Sequence, residues 1–183
     1  MAASEELEVL KEVAKRLGKA NIPYMITGST AGNFYTVPRM TRDIDLVVEL
    51  TPDDADRIVE IFGGDFYLDR ETMIDAISSR RMFNVIHAES VIKVDFIVRK
   101  DSLYRRTEFA RRRMIILEDQ EIQIVAPEDL ILSKLEWAKD SRSEFQLTDV
   151  KNLLHSVQGL DFDYLAYWAK ELEIEALYKE VLP

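Results

Sequence analysis

Three aspartates in two apolar segments are the residues of this chain best suited to do chemistry. Asp43 and Asp45 stand two residues apart in the run DIDLVVEL (43–50), and Asp95 lies within VIKVDFIV (91–98). Both runs resemble half-buried β-strands, in which residues two apart point to the same side. Asp43 and Asp45 are therefore predicted to share the face opposite the core, and Asp95 is predicted to point away from the core of its own strand.

Carboxylates that share a strand face repel each other unless a cation relieves them. If the strand of Asp95 neighbours the strand of Asp43 and Asp45, the three carboxylates converge. They could then hold two divalent ions about 4 Å apart, an arrangement used for in-line phosphoryl and nucleotidyl displacement. The expected ion is Mg²⁺, which prefers a few carboxylates together with water and substrate phosphates, and Mn²⁺ is the alternative.

The alternative for Asp43 and Asp45 is a structural one, an acidic sheet edge that discourages strand pairing. The same Asp-x-Asp spacing recurs at positions 54/56 and 161/163, inside a predicted helix and at the start of another. In those two places solvated charge is the better interpretation. The spacing alone therefore does not decide between a metal site and a solvated surface, and the strand context has to be considered with it.

A Gly-Ser pair precedes the acidic strand. Gly28 and Ser29 follow a short apolar strand predicted at residues 24–27 and precede a helix predicted at residues 30–35. Glycine permits close approach to the backbone, and the free N–H groups of a helix N-terminus can bind a phosphate. The Ser29 hydroxyl adds one more donor. The alternative is a plain strand–helix turn in which Ser29 caps the helix.

The order of these motifs resembles the signature of the nucleotidyltransferase superfamily. Gly28-Ser29 is followed after 13 residues by Asp43-Ile44-Asp45, and Asp95 follows on a later strand. That superfamily includes polymerase-beta-like enzymes, antibiotic nucleotidyltransferases and AbiEii-type toxins. The residues just before the acidic pair make the small AbiEii-like prokaryotic members the branch that this chain resembles most; they are Arg39, Thr41 and Arg42. The resemblance covers residues 24–98.

The resemblance implies an α+β fold, a mixed sheet of the nucleotidyltransferase type flanked by helices, with a helical C-terminal appendage. It also implies roles for individual residues. Gly28 and Ser29 would hold the triphosphate, the three aspartates would hold the metal ions and carry catalysis, and Asp95 would help to deprotonate the acceptor. Further residues of the nucleotide site would be Arg42, Lys134 and Asp149, with Arg142 near them. The structural alternative for Lys134 is that its aliphatic stem lies on apolar surface. The structural alternative for Asp149 is that it caps a helix or pairs with Lys134.

The reaction implied by the resemblance is transfer of a nucleoside monophosphate from an NTP, ATP among them, to an acceptor that stays open between RNA, a protein and a small molecule. A second hypothesis is a nucleotide-binding component of a toxin–antitoxin-like system, with a cognate protein partner and little turnover. A third hypothesis is a structural α/β interaction domain that binds neither nucleotide nor Mg²⁺. Labelling by radioactive NTPs separates the first hypothesis from the other two.

The rest of the pattern predicts a strand-rich nucleotidyltransferase core at residues 1–126 and a helical segment packed on it at residues 127–183. The 183 residues include no cysteine, which excludes disulfides and cysteine-ligated metal sites. No signal peptide or membrane span is recognisable, so a cytoplasmic protein without membrane contact is expected. A net charge of −10 argues against a protein that coats nucleic acid.

Two further segments have open interpretations. Residues 99–113 contain seven basic and two acidic residues, so the segment either receives the acceptor, for example an RNA end, or forms a solvated basic face. Aromatic residues at helical spacing in the C-terminal segment are predicted to pack the helices together; they are Trp137, Tyr164, Tyr167 and Trp168.

Overall fold

The computed structural model describes residues 2–41 and 43–182 of the chain. Within these ranges seven strands form one mixed sheet in the order β3-β4-β5-β2-β1-β7-β6. The strands are β1 (Tyr24–Thr27), β2 (Asp43–Val48), β3 (Phe66–Leu68), β4 (Met82–His87), β5 (Lys93–Val98), β6 (Arg113–Leu117) and β7 (Gln120–Ile124).

Helices flank the sheet and form the C-terminal part of the chain. They are α1 (Ala2–Lys19), α2 (Gly28–Tyr35), α3 (Ala55–Phe62), α4 (Arg70–Ser78), α5 (Leu103–Ala110), α6 (Pro127–Ser141), α7 (Glu144–Ser156), α8 (Phe162–Glu171) and α9 (Glu175–Val181). A 3-10 turn at Pro52–Asp54 leads into α3. No helix in the described ranges is both long enough and apolar enough to cross a bilayer.

The centre of the sheet is the pair β2 and β5. β2 runs parallel to β5 and antiparallel to β1. Alternation decides which side chains are buried, since Ile44 and Leu46 of β2 and Val94 and Phe96 of β5 are fully buried. The predicted alternating strands and their core face are therefore confirmed.

The C-terminal helices are built around α6, most of which is buried. Pro127 stands at the first turn, where its missing N–H group is not needed. α6 packs on α2, α7 and α8, so it joins the sheet-bearing part of the chain to the helices that follow. The predicted α/β fold with a helical C-terminal segment is confirmed, and the division at residues 126 and 127 stays a prediction.

The basic segment 99–113 forms α5 and its flanks, and its arginines are mostly paired. Arg105 contacts Glu108 at 2.7 Å and also pairs with Glu136, and Arg111 contacts the fully buried Asp129 at 2.9 Å. Glu108 is 1% exposed, so these guanidinium groups neutralise carboxylates that the fold has removed from water. Much of this segment therefore braces α5 against α6, which neither of the two interpretations of the sequence had included.

We expect Arg105→Ala to lower the free energy of unfolding by about 3–5 kcal/mol, because it would leave the buried carboxylate of Glu108 without its counter-ion. Arg106→Ala is the matched control. Arg106 lies next in the chain, is 54% exposed and pairs with the exposed Asp101, so its loss is expected to change stability by about 1 kcal/mol or less. Urea unfolding followed by circular dichroism measures both. Equal losses for the two variants would contradict the bracing role.

Candidate functional site

The three predicted aspartates lie side by side on the sheet. The parallel register of β2 and β5 places Asp45 opposite Asp95 and Asp43 opposite Lys93. The side chains lie on the face opposite the core, as predicted. Asp95 is buried, with 6% of its surface exposed, whereas Asp43 is partly open to solvent. The predicted neighbourhood of the two strands is confirmed, while the metal-binding and catalytic roles of these residues stay predictions.

The carboxylate of Asp45 carries the electrostatic strain of this cluster. No described residue forms an ion pair or hydrogen bond with it, whereas Lys93 contacts both neighbouring carboxylates. Burial and the negative charges of Asp95 and Asp43 raise the pKa of Asp45 to about 6, although Lys134 and Lys93 act in the opposite direction. The negative charge of Asp45 is thus the one in this cluster that no described cation contacts.

Lys93 partly supplies that charge. Its ammonium lies 3.4 Å from a carboxylate oxygen of Asp43 and 3.2 Å from one of Asp95. In this arrangement no three acidic, histidine or cysteine side chains of the described residues form a ready ligand set for one ion. The donors nevertheless fit a divalent cation, because oxygen ligands are what Mg²⁺ prefers and substrate phosphates complete its shell. In the structure the Lys93 ammonium provides positive charge to Asp43 and Asp95, as a divalent ion held by these carboxylates would.

Asp95 has a neighbour that the sequence analysis did not single out. Asn84 of β4 lies directly opposite Asp95 in the antiparallel register, and its side-chain amide donates a hydrogen bond to the Asp95 carboxylate. Both carboxylate oxygens of Asp95 are therefore engaged, one by Asn84 and the other by Lys93. The polar Asn84 within the otherwise apolar start of β4 was the only signal in the sequence.

Gly28 is required by the side chain of Asp45. Gly28 has φ +63°, and a Cβ added to it would lie 2.0 Å from an Asp45 carboxylate oxygen. Only glycine accommodates both the left-handed backbone and this contact. The helix α2 begins at Gly28 with Thr27 in the capping position, so the alternative in which Ser29 caps the helix is wrong. The first turn of α2 and the acidic strand thus form one surface.

Ser29 belongs to a charged network that reaches the C-terminal helices. Its hydroxyl accepts a hydrogen bond of 2.7 Å from Arg39. Arg39 also donates to both carboxylate oxygens of Asp149, at 3.2 and 2.9 Å, and Lys134 donates to the same carboxylate at 2.8 Å. Although burial favours its neutral form, the hydrogen bonds from Arg39 and Lys134 lower the pKa of the Asp149 carboxyl. The pairing of Asp149 with Lys134, one of the alternatives from the sequence, is present.

Arg142, which the sequence analysis placed near the nucleotide site, is not part of this network among the described residues. Arg42 lies outside the described residues. Arg142 ends α6 with a left-handed backbone and pairs with Glu180 at 3.2 Å. Arg39 was noted in the sequence only as part of the motif, because its contact with Asp149 depends on the three-dimensional fold.

A cavity of about 180 Å³ opens beside the acidic cluster. Gly28, Ser29 and Asp45 line it, and so does Trp137 of α6. Trp137 is 55% exposed, so the prediction that it packs the C-terminal helices is wrong. Trp168 is 8% exposed and contacts Tyr104 and the two tyrosines of α8. The packing prediction is therefore confirmed for Trp168 and Tyr164, whereas Tyr167 is 56% exposed and packs only in part.

The fold is similar to that of solved nucleotidyltransferase-like proteins. An antigenic nucleotidyltransferase-like protein from Paracoccidioides brasiliensis matches with a TM-score of 0.60 at 15% identity, over 96% of this chain and 93% of that one. The antibiotic-resistance factor ANT(2'')-Ia matches with a TM-score of 0.58 at 13% identity, over 97% and 98% of the two chains. The lincosamide antibiotic adenylyltransferase LnuA, solved with lincomycin bound, gives 0.52 at 13% identity, over 82% and 94%.

At these identities the likeness establishes the fold. No protein-family model matches the chain, and no curated protein sequence matches it. The chain therefore has the fold of nucleotidyltransferase-like proteins, as the order of its motifs predicted.

We expect Asp45→Asn to raise the free energy of unfolding of the metal-free protein by about 1–3 kcal/mol near neutral pH. The folded-state pKa of Asp45 is about 6 against an ordinary value of 3.8. The folded protein therefore binds this proton more tightly, and ionisation of Asp45 destabilises it. This penalty is complete above about pH 6 and disappears below about pH 4.

Urea unfolding in EDTA at several pH values measures the effect. The stability gain of Asp45→Asn over the wild type should shrink as the pH falls from 7 to 4. Asp53→Asn, which changes an exposed aspartate at the start of the 3-10 turn, is the control and is expected to change the free energy of unfolding by about 0.5 kcal/mol or less. A loss of stability in Asp45→Asn at neutral pH would show that this carboxylate has a stabilising partner in the folded protein.

Proposed function

We propose that the chain is a metal-dependent nucleotidyltransferase that moves a nucleoside monophosphate from an NTP to an acceptor. The observation that carries this proposal is the in-register placement of Asp45 and Asp95 beside the Gly28-Ser29 turn. A carboxylate cluster and a helix N-terminus on one surface are the two halves of a site for a metal-bound triphosphate. The fold shared with nucleotidyltransferase-like proteins supports the proposal.

The phosphate end of the donor is proposed to lie on the first turn of α2. The free N–H groups of that turn and the Ser29 hydroxyl can donate to phosphate oxygens. Arg39 and Lys134 add two positive charges, and Asp149 holds both of them near Ser29. Because a carboxylate would repel the triphosphate, we assign Asp149 the task of positioning these two cations.

Asp43, Asp45 and Asp95 are the residues that would hold the divalent ions. When bound, such ions neutralise charge on the phosphates and on the departing pyrophosphate. In the reaction an acceptor oxygen attacks the α-phosphorus, a new P–O bond forms, and the bond to the β-phosphate oxygen breaks, releasing pyrophosphate. Asp95, which is contacted by Asn84 and Lys93, would accept the proton of the acceptor. Positioning and charge neutralisation supply the rate acceleration.

A second candidate function rests on Lys93. The Lys93 ammonium already pairs with Asp43 and Asp95 and would compete with a metal ion for these carboxylates. In this second function the chain would bind nucleotide with little dependence on metal and would turn it over slowly. This would suit the nucleotide-binding component of a toxin–antitoxin-like pair. The proposed relationship to the AbiEii-like branch rests on the sequence motif from Gly28 to Asp45. The proposed location is the cytoplasm, where an enzyme that uses NTPs would work. The acceptor stays open between RNA, a protein and a small molecule.

We expect Mg²⁺ and an NTP together to raise the melting temperature by more than the sum of their separate effects, because each completes the binding site of the other. We also expect labelled NTP with Mg²⁺ to label an acceptor in total cellular RNA, in a protein extract or in a small-molecule fraction. Asp95→Asn should abolish the labelling. Additive melting shifts with no labelling in any fraction would favour the second candidate function, and full labelling by Asp95→Asn would remove Asp95 from the site.

We expect Arg39→Gln to weaken NTP binding by about 10- to 100-fold, because one charge-assisted hydrogen bond to phosphate is lost. The fold should survive, since the Arg39 side chain is 46% exposed. Arg142→Gln is the matched control, because Arg142 is 67% exposed and pairs with Glu180. Isothermal titration calorimetry with a non-hydrolysable ATP analogue gives both dissociation constants. Equal constants for the two variants would remove Arg39 from the phosphate site.

A further inference from the structure

The cavity beside Asp45 has a wall that the proposed transfer chemistry does not use. Val47 of β2 and Ile97 of β5 lie opposite each other in the register and line it, as does Leu130 of α6. Trp137 lines the same cavity and is 55% exposed. The volume of about 180 Å³ compares with about 30 Å³ for one water molecule. The cavity therefore offers an aromatic ring and an apolar floor to a flat group of moderate size.

α6 brings a cation of the proposed phosphate end and an aromatic side chain to the same cavity. Lys134, which contributes positive charge to the phosphate end, and Trp137 are three residues apart on one helix, and both line the cavity. Residues three apart lie on the same helix face, about 4.5 Å apart along the axis. A triphosphate on Ser29 and Lys134 would place its nucleoside toward Trp137.

Two polar side chains that line this cavity are engaged by other groups of the protein. Ser133 Oγ accepts a hydrogen bond from Arg105 at 2.7 Å and donates one to Glu108 at 2.6 Å. The side-chain carbonyl of Gln146 accepts from Lys134 at 3.1 Å. A site discriminates strongly among bases only where its own hydrogen-bonding groups would be left unpaired by the wrong one. The Ser133 hydroxyl and the Gln146 carbonyl therefore have protein partners whichever base is bound, and no base leaves them unpaired.

Resting on the proposed function, we propose that the base of the donor nucleotide stacks on Trp137 and is not read by hydrogen bonds, so that all four NTPs serve as donors. Stacking on an aromatic side chain tolerates every base, because each base has a π-face. The affinity for the nucleoside then comes from Trp137 and the Val47–Ile97 floor, and the affinity for the phosphates comes from Ser29, Arg39 and Lys134. The two contributions are separable by experiment.

The test compares NTPs with inorganic tripolyphosphate, which has the phosphates but no base. In calorimetry with Mg²⁺, we expect dissociation constants for ATP, GTP, CTP and UTP within about fivefold of one another. Trp137→Ala should weaken all four by about 5- to 100-fold and leave tripolyphosphate binding unchanged. Trp137→Phe should retain most of the affinity. Tyr167→Ala, which removes a 56% exposed aromatic of α8, should leave NTP binding unchanged.

Fluorescence gives an independent reading, because Trp137 and Trp168 are the two tryptophans of the chain. In Trp168→Phe the remaining fluorescence of Trp137 should be quenched by each NTP and not by tripolyphosphate. Strong preference for one NTP, or an unchanged NTP affinity in Trp137→Ala, would overturn the proposal while leaving the transferase function standing. Failure of both NTPs and tripolyphosphate to bind wild-type protein would overturn the proposed function as well.

Discussion

The parallel pairing of β2 with β5 is the constraint on which the rest of the molecule depends. One register sends Ile44 and Leu46 into the core and brings Asp45 beside Asp95 on the other face. A slip of one residue would move every side chain to the opposite face, which would bury the carboxylates in the core. The apolar side chains therefore fix the geometry of the acidic cluster, and the free energy of core packing holds negative charges together that would otherwise separate.

Lysine and arginine side chains pair with the acidic residues of the interior and of the site in several parts of the structure. Lys93 contacts Asp43 and Asp95, and Arg39 shares Asp149 with Lys134. Elsewhere Arg105 and Arg111 pair with the acids beneath α5 and α6. The two groups of acids differ in how completely they are paired. Asp45 has no such partner among the described residues, whereas the acids beneath α5 and α6 are all paired. We interpret the incompletely compensated acid as part of the proposed metal and nucleotide site, and the fully paired acids as a structural brace.

Alternation and motif order made much of the fold predictable. The bounds of β1 were predicted as observed, since a short apolar run ends at a glycine, and the face of Asp43 and Asp45 follows from a period of two. β3, of three residues, was not predicted, because so short a strand carries no recognisable period. α5 was missed because arginine charge dominates its sequence. The partners of Ser29 and Asp95, namely Arg39 and Asn84, depend on contacts that only the folded chain creates.

The link between Arg39 and Asp149 joins positions 110 residues apart. During synthesis Gly28, both aspartates of β2 and Asp95 therefore emerge well before the helix that organises Arg39 and Lys134. Contacts between residues so far apart in sequence form late, because the entropy cost of closing the loop comes before the stabilisation that the contacts provide. The acidic half of the site can be assembled while the basic half is still absent. Under the proposed function, a nascent chain would hold triphosphate poorly until α7 docks, and nucleotide binding would report that α7 is in place.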